Sequence, residues 1–134
     1  KFMAIQLWMV FEAIAPEKEA LEDSLDDHIE MLETEDDIDI VESEIDDVSE
    51  VKDPHPGLEK GYSQVAELRL EVDGFDRAIE TVVNYGPTYV QIEGPEKYEM
   101  SMREMQDSLQ NVANTMHQYA QMGPGGVLIS KSGE

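Results

Sequence analysis

Residues 2–15 alternate, with Met3, Ile5, Leu7, Met9 and Phe11 on one side and Ala4, Gln6, Trp8, Val10 and Glu12 on the other. Alternation with a period of two predicts a strand. Because both sides are largely apolar, it is a central strand, covered on one face and partly on the other. Pro16 suits the first turn of a helix. Over residues 16–34, Leu21, Leu25, Ile29 and Leu32 then mark one apolar stripe among acids, the pattern of a solvated helix with a single buried face. Residues 36–53 are ambiguous. Ile38 and Ile40 alternate like a strand, whereas Val41, Ile45 and Val48 would equally mark a short helix; the β-branched content favours a strand with room for a bulge. Asp53-Pro54-His55-Pro56-Gly57 predicts a loop.

Residues 62–73 predict a further strand, with Val65, Leu68, Leu70 and Val72 inward, Glu67, Arg69 and Glu71 outward, and a register irregularity near Ala66. Phe75, Ile79, Val82 and Val83 give a second amphipathic helix, closed by Gly86 and Pro87. A short strand over residues 88–93 turns Val90 and Ile92 inward and Tyr89, Gln91 and Glu93 outward. Gly94-Pro95 then turns the chain, and residues 97–100 could lengthen the connection.

Ser101-Met102-Arg103-Glu104 has the form of a capping box, with Met100 and Met105 at the staple positions. It opens a last helix over residues 101–122, whose apolar stripe is Met105, Leu109, Val112, Met116 and Tyr119 and whose opposite face is rich in amides. This order predicts an α+β fold: a ferredoxin-like β-α-β-β-α-β antiparallel sheet with an additional C-terminal helix. Residues 1–123 form one domain. Residues 124–134 are expected as a flexible tail or exchanged arm, with strand character at Val127, Leu128 and Ile129. The stripe of the last helix needs a surface, which the second sheet face or another subunit would supply.

Composition narrows the chemistry. Thirty-one acidic residues against nine basic ones give a formal charge of -22. Such a chain repels nucleic acid and anionic membranes, whose affinity comes from Lys and Arg. No cysteine is present, which excludes disulfides, zinc-thiolate sites and thiol nucleophiles. No apolar run is long enough to span a bilayer, and residues 2–14 lack a signal peptide's cationic start, so the expected compartment is the cytoplasm. Acidity this evenly spread matches the surface chemistry of proteins that work in concentrated salt, where a Debye length of about 3 Å screens the repulsion. An acidic mimic of nucleic acid or a cation binder is the rival reading.

Three runs carry a family resemblance: residues 53–62, DPHPGLEKGY; residues 84–89, NYGPTY; and residues 111–120, NVANTMHQYA. Together with the acidity they make the chain similar to a small family of uncharacterised archaeal, chiefly haloarchaeal, proteins. The resemblance implies no activity and therefore transfers no functional residue. Its likeness to ACT-type regulatory domains is one of fold only.

Candidate chemistry is sparse. His28, His55 and His117 are not spaced for a shared metal, and no nucleophile, phosphate-loop or dinucleotide motif occurs. The acid runs lack the alternate ligands and glycine of a calcium loop, so no metal and no cofactor are expected. Trp8, His55, Tyr62, Tyr85, Thr88 and Tyr89 are the candidate ligand-binding residues, because the turn from Tyr85 to Tyr89 would bring phenols and a hydroxyl to one end of a sheet. Gln110, Asn111, Asn114, His117, Gln118 and Gln121 are the candidate oligomer interface, since amides pair across a boundary without the desolvation cost of charges. The expectation is a non-enzymatic, self-associating interaction or regulatory module, a dimer or larger. The alternative is a small-molecule sensor or enzyme using the Tyr85–Tyr89 region. Residues 17–53 hold eighteen acids against Lys18 and Lys52, so the melting temperature should climb steadily from about 0.1 M to about 3 M KCl. A flat series would show that repulsion does not limit stability.

Overall fold

The computed structural model describes residues 3–55 and 58–121. The expected tail at residues 124–134 lies outside them. The elements are β1 (Ala4–Ala15), α1 (Lys18–Glu33), β2 (Ile38–Ile45), β3 (Ser49–His55), β4 (Leu58–Asp73), α2 (Phe75–Tyr85), β5 (Tyr89–Gly94) and α3 (Met102–Gln121). The architecture is α+β, a five-stranded antiparallel sheet with three helices. Its strands run β2-β4-β1-β5, and β3 also pairs with β4.

Alternation sets the core. Ile5, Leu7, Met9 and Phe11 of β1 and Ala66, Leu68, Leu70 and Val72 of β4 are all buried on the same face. α1 meets that face through Leu21, Leu25, Ile29 and Leu32, the four stripe residues read from its sequence. α2 adds Ala78 and Tyr85, with Phe75 and Val82 packed against the cluster. Gly86, left-handed at φ 59°, ends α2 by donating its N–H to the Val82 carbonyl. Among the described residues no helix is long and apolar enough to cross a membrane.

Three expectations change. The segment at 36–53 is two strands rather than one. They separate at 46–48, where Asp46 N–H donates to Val65 O and Gln64 Nε2 donates to Asp46 O, and β2 carries a bulge between Ile40 and Glu42. Of the loop expected at 53–57, Asp53, Pro54 and His55 belong to β3, and residues 56 and 57 lie outside the described residues. β4 has no irregularity near Ala66: its register against β1 is continuous, so Ala66 takes the inner position and Val65 faces the other way.

Leu68 is fully buried at the centre of the sheet. Leu68→Ala should cost about 3 kcal/mol and lower the melting temperature by roughly 10 °C, read by calorimetry in high salt.

Candidate functional site

The sheet face opposite α1 and α2 carries Trp8, Val10, Glu67, Arg69, Tyr89 and Gln91, and among the described residues no helix covers it. The register places Trp8 between Arg69 on β4 and Gln91 on β5. The Trp8 Nε1 donates to Glu67 Oε1 at 3.2 Å, and Tyr89 meets the indole edge-on with ring centres 5.3 Å apart. The Arg69 guanidinium lies 5.8 Å from the indole centre, donating from Nε to Glu93 (3.1 Å) and from Nη1 to Glu42 (3.2 Å). A shallow depression of about 360 Å³ adjoins this row, bounded by Glu42, Ser43, Glu44, Glu67 and Arg69. An aromatic pair ringed by carboxylates, with its one cation already paired, suits a cationic or neutral planar group rather than an anion.

The other phenol of the 85–89 turn points away. Tyr85 is buried between α1 and α2, where its hydroxyl donates to Glu35 Oε2 at 2.6 Å and also lies 3.3 Å from Met31 O. Burial and the neighbouring carboxylate push its pKa up to about 12. The same hydroxyl, with Arg77, holds Glu35 below the usual glutamate range. Arg77, with only 17% of its side chain exposed, grips Asp37 with a two-pronged contact at 2.9 and 2.8 Å and also pairs with Glu35 and Glu80. Paired so, it is held above the ordinary arginine range. His28 Nε2 donates to the Tyr85 carbonyl at 2.7 Å, its ring wedged edge-on between Phe11 and Tyr85. This cluster fastens the end of α1 and the following loop to α2; it is a structural clasp.

The six candidate ligand residues are therefore divided. Trp8 and Tyr89 come together on the open face. Tyr85 lies on the opposite side of the sheet, and Thr88 spends its backbone N–H and its hydroxyl on the Val10 carbonyl. Tyr62 pairs with Ala15, seven residues along β1 from Trp8, and His55 closes β3. Among the described residues no cluster of three or more His, Asp and Glu is placed to hold a metal ion.

α3 is turned in an unexpected way. It packs along α2 with the buried Glu104 and Ser108 and the half-buried Asn111 and Thr115. Ser101 Oγ accepts the Glu104 N–H, one half of the expected capping box. The Glu104 carboxylate, instead of returning to the cap, accepts the backbone N–H of Phe75 at 3.0 Å and the Tyr98 hydroxyl. Asn111 Nδ2 donates to Asp76 Oδ1 at 2.5 Å, so this residue of the amide face serves the contact with α2. Gln110 bonds Asn114, and Asn114, His117, Gln118 and Gln121 are exposed. The apolar stripe is exposed as well: Met102, Met105, Leu109, Val112, Met116 and Tyr119 show between 38% and 78% of their surface. Of the two surfaces expected for this stripe, the second face of its own sheet does not supply one.

A sequence model of the MJ0538 family matches residues 6–130. The chain belongs to the MJ0538 family. That family is archaeal, named after a Methanocaldococcus protein. No curated protein and no solved structure matches the chain. The span matched by the MJ0538 family takes in the Trp8 face, the Arg77 clasp and all of α3. The sequence places Arg69 outward on its strand and Glu104 in the capping box, but by sequence none of Arg69, Arg77, Tyr98 and Glu104 is a candidate site residue. Scarcity was the available signal for two of them, since the chain has only three arginines and an acidic fold places its few cations where several carboxylates converge.

Tyr85 should ionise near pH 12, and Tyr85→Phe should remove that late step from an ultraviolet titration. Because its folded pKa is raised, the stability linked to Tyr85 is complete below about pH 10 and is lost as the pH climbs toward 12. Arg77→Lys should destabilise by about 1–2 kcal/mol, since an ammonium does not reproduce the two-pronged grip on Asp37.

Proposed function

We propose that this protein is a non-enzymatic, self-associating interaction or regulatory module of ferredoxin-like build, acting in a salt-rich archaeal cytoplasm. The exposed apolar stripe of α3 carries the reading. A chain with a formal charge of -22 that keeps one long uncharged face on its surface has a face to which something docks. The strand order β2-β4-β1-β5, with α1 and α2 on one face and β3 continuing β2 along β4, supports the ferredoxin-like build. The acidity supports the salt-rich setting, and the absence of cysteine fits the cytoplasm.

A second reading, a small-molecule sensor, is favoured by one observation, the edge-on contact of Trp8 with Tyr89 on the open sheet. Trp8 is the sole tryptophan, so a planar ligand docking there would shift the intrinsic fluorescence. For the leading reading the experiment is light scattering in molar KCl at micromolar concentrations. The expected mass is at least twice the 15.1 kDa of one chain. A single-chain mass at every concentration would overturn self-association.

A further inference from the structure

β5 presents a second uncovered apolar surface. In the register with β1, Val90 lies opposite Met9 and Ile92 opposite Leu7. Directly paired residues point to the same side of a sheet, so Val90 and Ile92 belong to the face on which α1 and α2 pack. Met9 and Leu7 are 0% and 2% exposed there, whereas Val90 and Ile92 are 40% and 55% exposed. Among the described residues the helical cover stops at β1, one strand short of the sheet edge.

The α3 stripe is the complement of that strip. Positions 105, 109, 112, 116 and 119 lie roughly a quarter-turn around the helix from the 104, 108, 111 and 115 positions that meet α2. Glu104 on Phe75 and Asn111 on Asp76 hold the helix in this orientation, so its own β5 stays bare while the stripe stays outward.

We propose that two copies of this chain exchange these surfaces, the apolar stripe of each α3 lying over the bare strip at Val90 and Ile92 of the other's β5. The inference rests on the self-association reading above and names its surfaces. Charge selects a second copy to these faces. Between Ser108 and Gln121, and again from Thr88 to Ile92, no residue is charged, while most other approaches would bring one acidic surface against another. Area fits too: stripe and strip together expose on the order of 700 Å² per copy, close to the roughly 800 Å² that each partner gives to a standard interface. Helix on strand, repeated in both directions, is self-complementary and closes with two-fold symmetry. Pairing of α3 with α3 would leave Val90 and Ile92 uncovered.

The cysteine-free sequence allows a direct test by engineered cross-linking. Leu109 and Ile92 are both more than half exposed, so Leu109→Cys and Ile92→Cys are compatible with the fold. An equimolar mixture of the two variants, oxidised in molar KCl, is expected to give mainly the mixed disulfide dimer. Leu109→Glu and Ile92→Glu should each weaken association at least tenfold with unchanged circular dichroism. If the chain assembles but only Leu109→Cys with itself cross-links, or if Ile92→Glu leaves assembly intact, the exchange is overturned while self-association stands. If light scattering gives single chains throughout, both fall.

Discussion

Glu104 is buried at the start of α3, and its carboxylate accepts the N–H of Phe75, the first residue of α2, together with the hydroxyl of Tyr98. A buried carboxylate costs several kcal/mol unless donors replace the water it loses. Each hydrogen bond to a charged group returns about 1.5–3 kcal/mol. The N-terminus of α2 supplies one donor that the helix itself leaves unsatisfied and a favourable dipole besides. Rolling α3 to bury its apolar side would strip the carboxylate of both partners and would break the Asn111–Asp76 contact as well. The polar stripe therefore faces inward and the apolar stripe outward.

That orientation leaves a large hydrophobic term unused in the single chain. Burying the α3 stripe and the β5 strip would be worth on the order of 10 kcal/mol before association costs are subtracted, comparable with the whole stability of an ordinary domain. The acidic surface determines how that term can be recovered. Repulsion between two chains of -22 is screened in concentrated salt but not abolished, so the uncharged faces are where copies approach at least cost. The Arg77 clasp and the Arg69 row answer the same constraint within the chain, each cation gathering carboxylates from two or three elements.

Periodicity made much of the scaffold legible. The stripe Leu21, Leu25, Ile29 and Leu32 is buried as read, and β1 sits centrally between β4 and β5. What periodicity misses is pairing at a distance. Val65 fits an inward pattern as well as Ala66 does, and only the register with β1 distinguishes them. The break at 46–48 depends on Gln64 and Val65, nearly twenty residues away. Thr81 is fully buried in α2 because its hydroxyl returns to the Arg77 carbonyl, a local bond that a hydrophobicity count ignores. The same limit applies to the candidate site. Trp8 and Tyr89 are both candidates by sequence, yet the turn between Tyr85 and Tyr89 delivers the two phenols to opposite sides of the sheet, because one ends a helix and the other begins a strand. The amide face of α3 is conspicuous in the sequence for its lack of charge, and the apolar stripe beside it is exposed as well.

In the proposed dimer, the inward polar stripe leaves α3 and β5 as surfaces for each other in a second copy. Amide hydrogen exchange in molar KCl, at two protein concentrations that bracket assembly, tests this most directly. Exchange should slow with concentration in α3 and in Tyr89–Gly94, while α1 and β4 exchange at the same rates in both samples. Rates in α3 and β5 that do not change with concentration would contradict it, as would a slowing spread evenly over the chain.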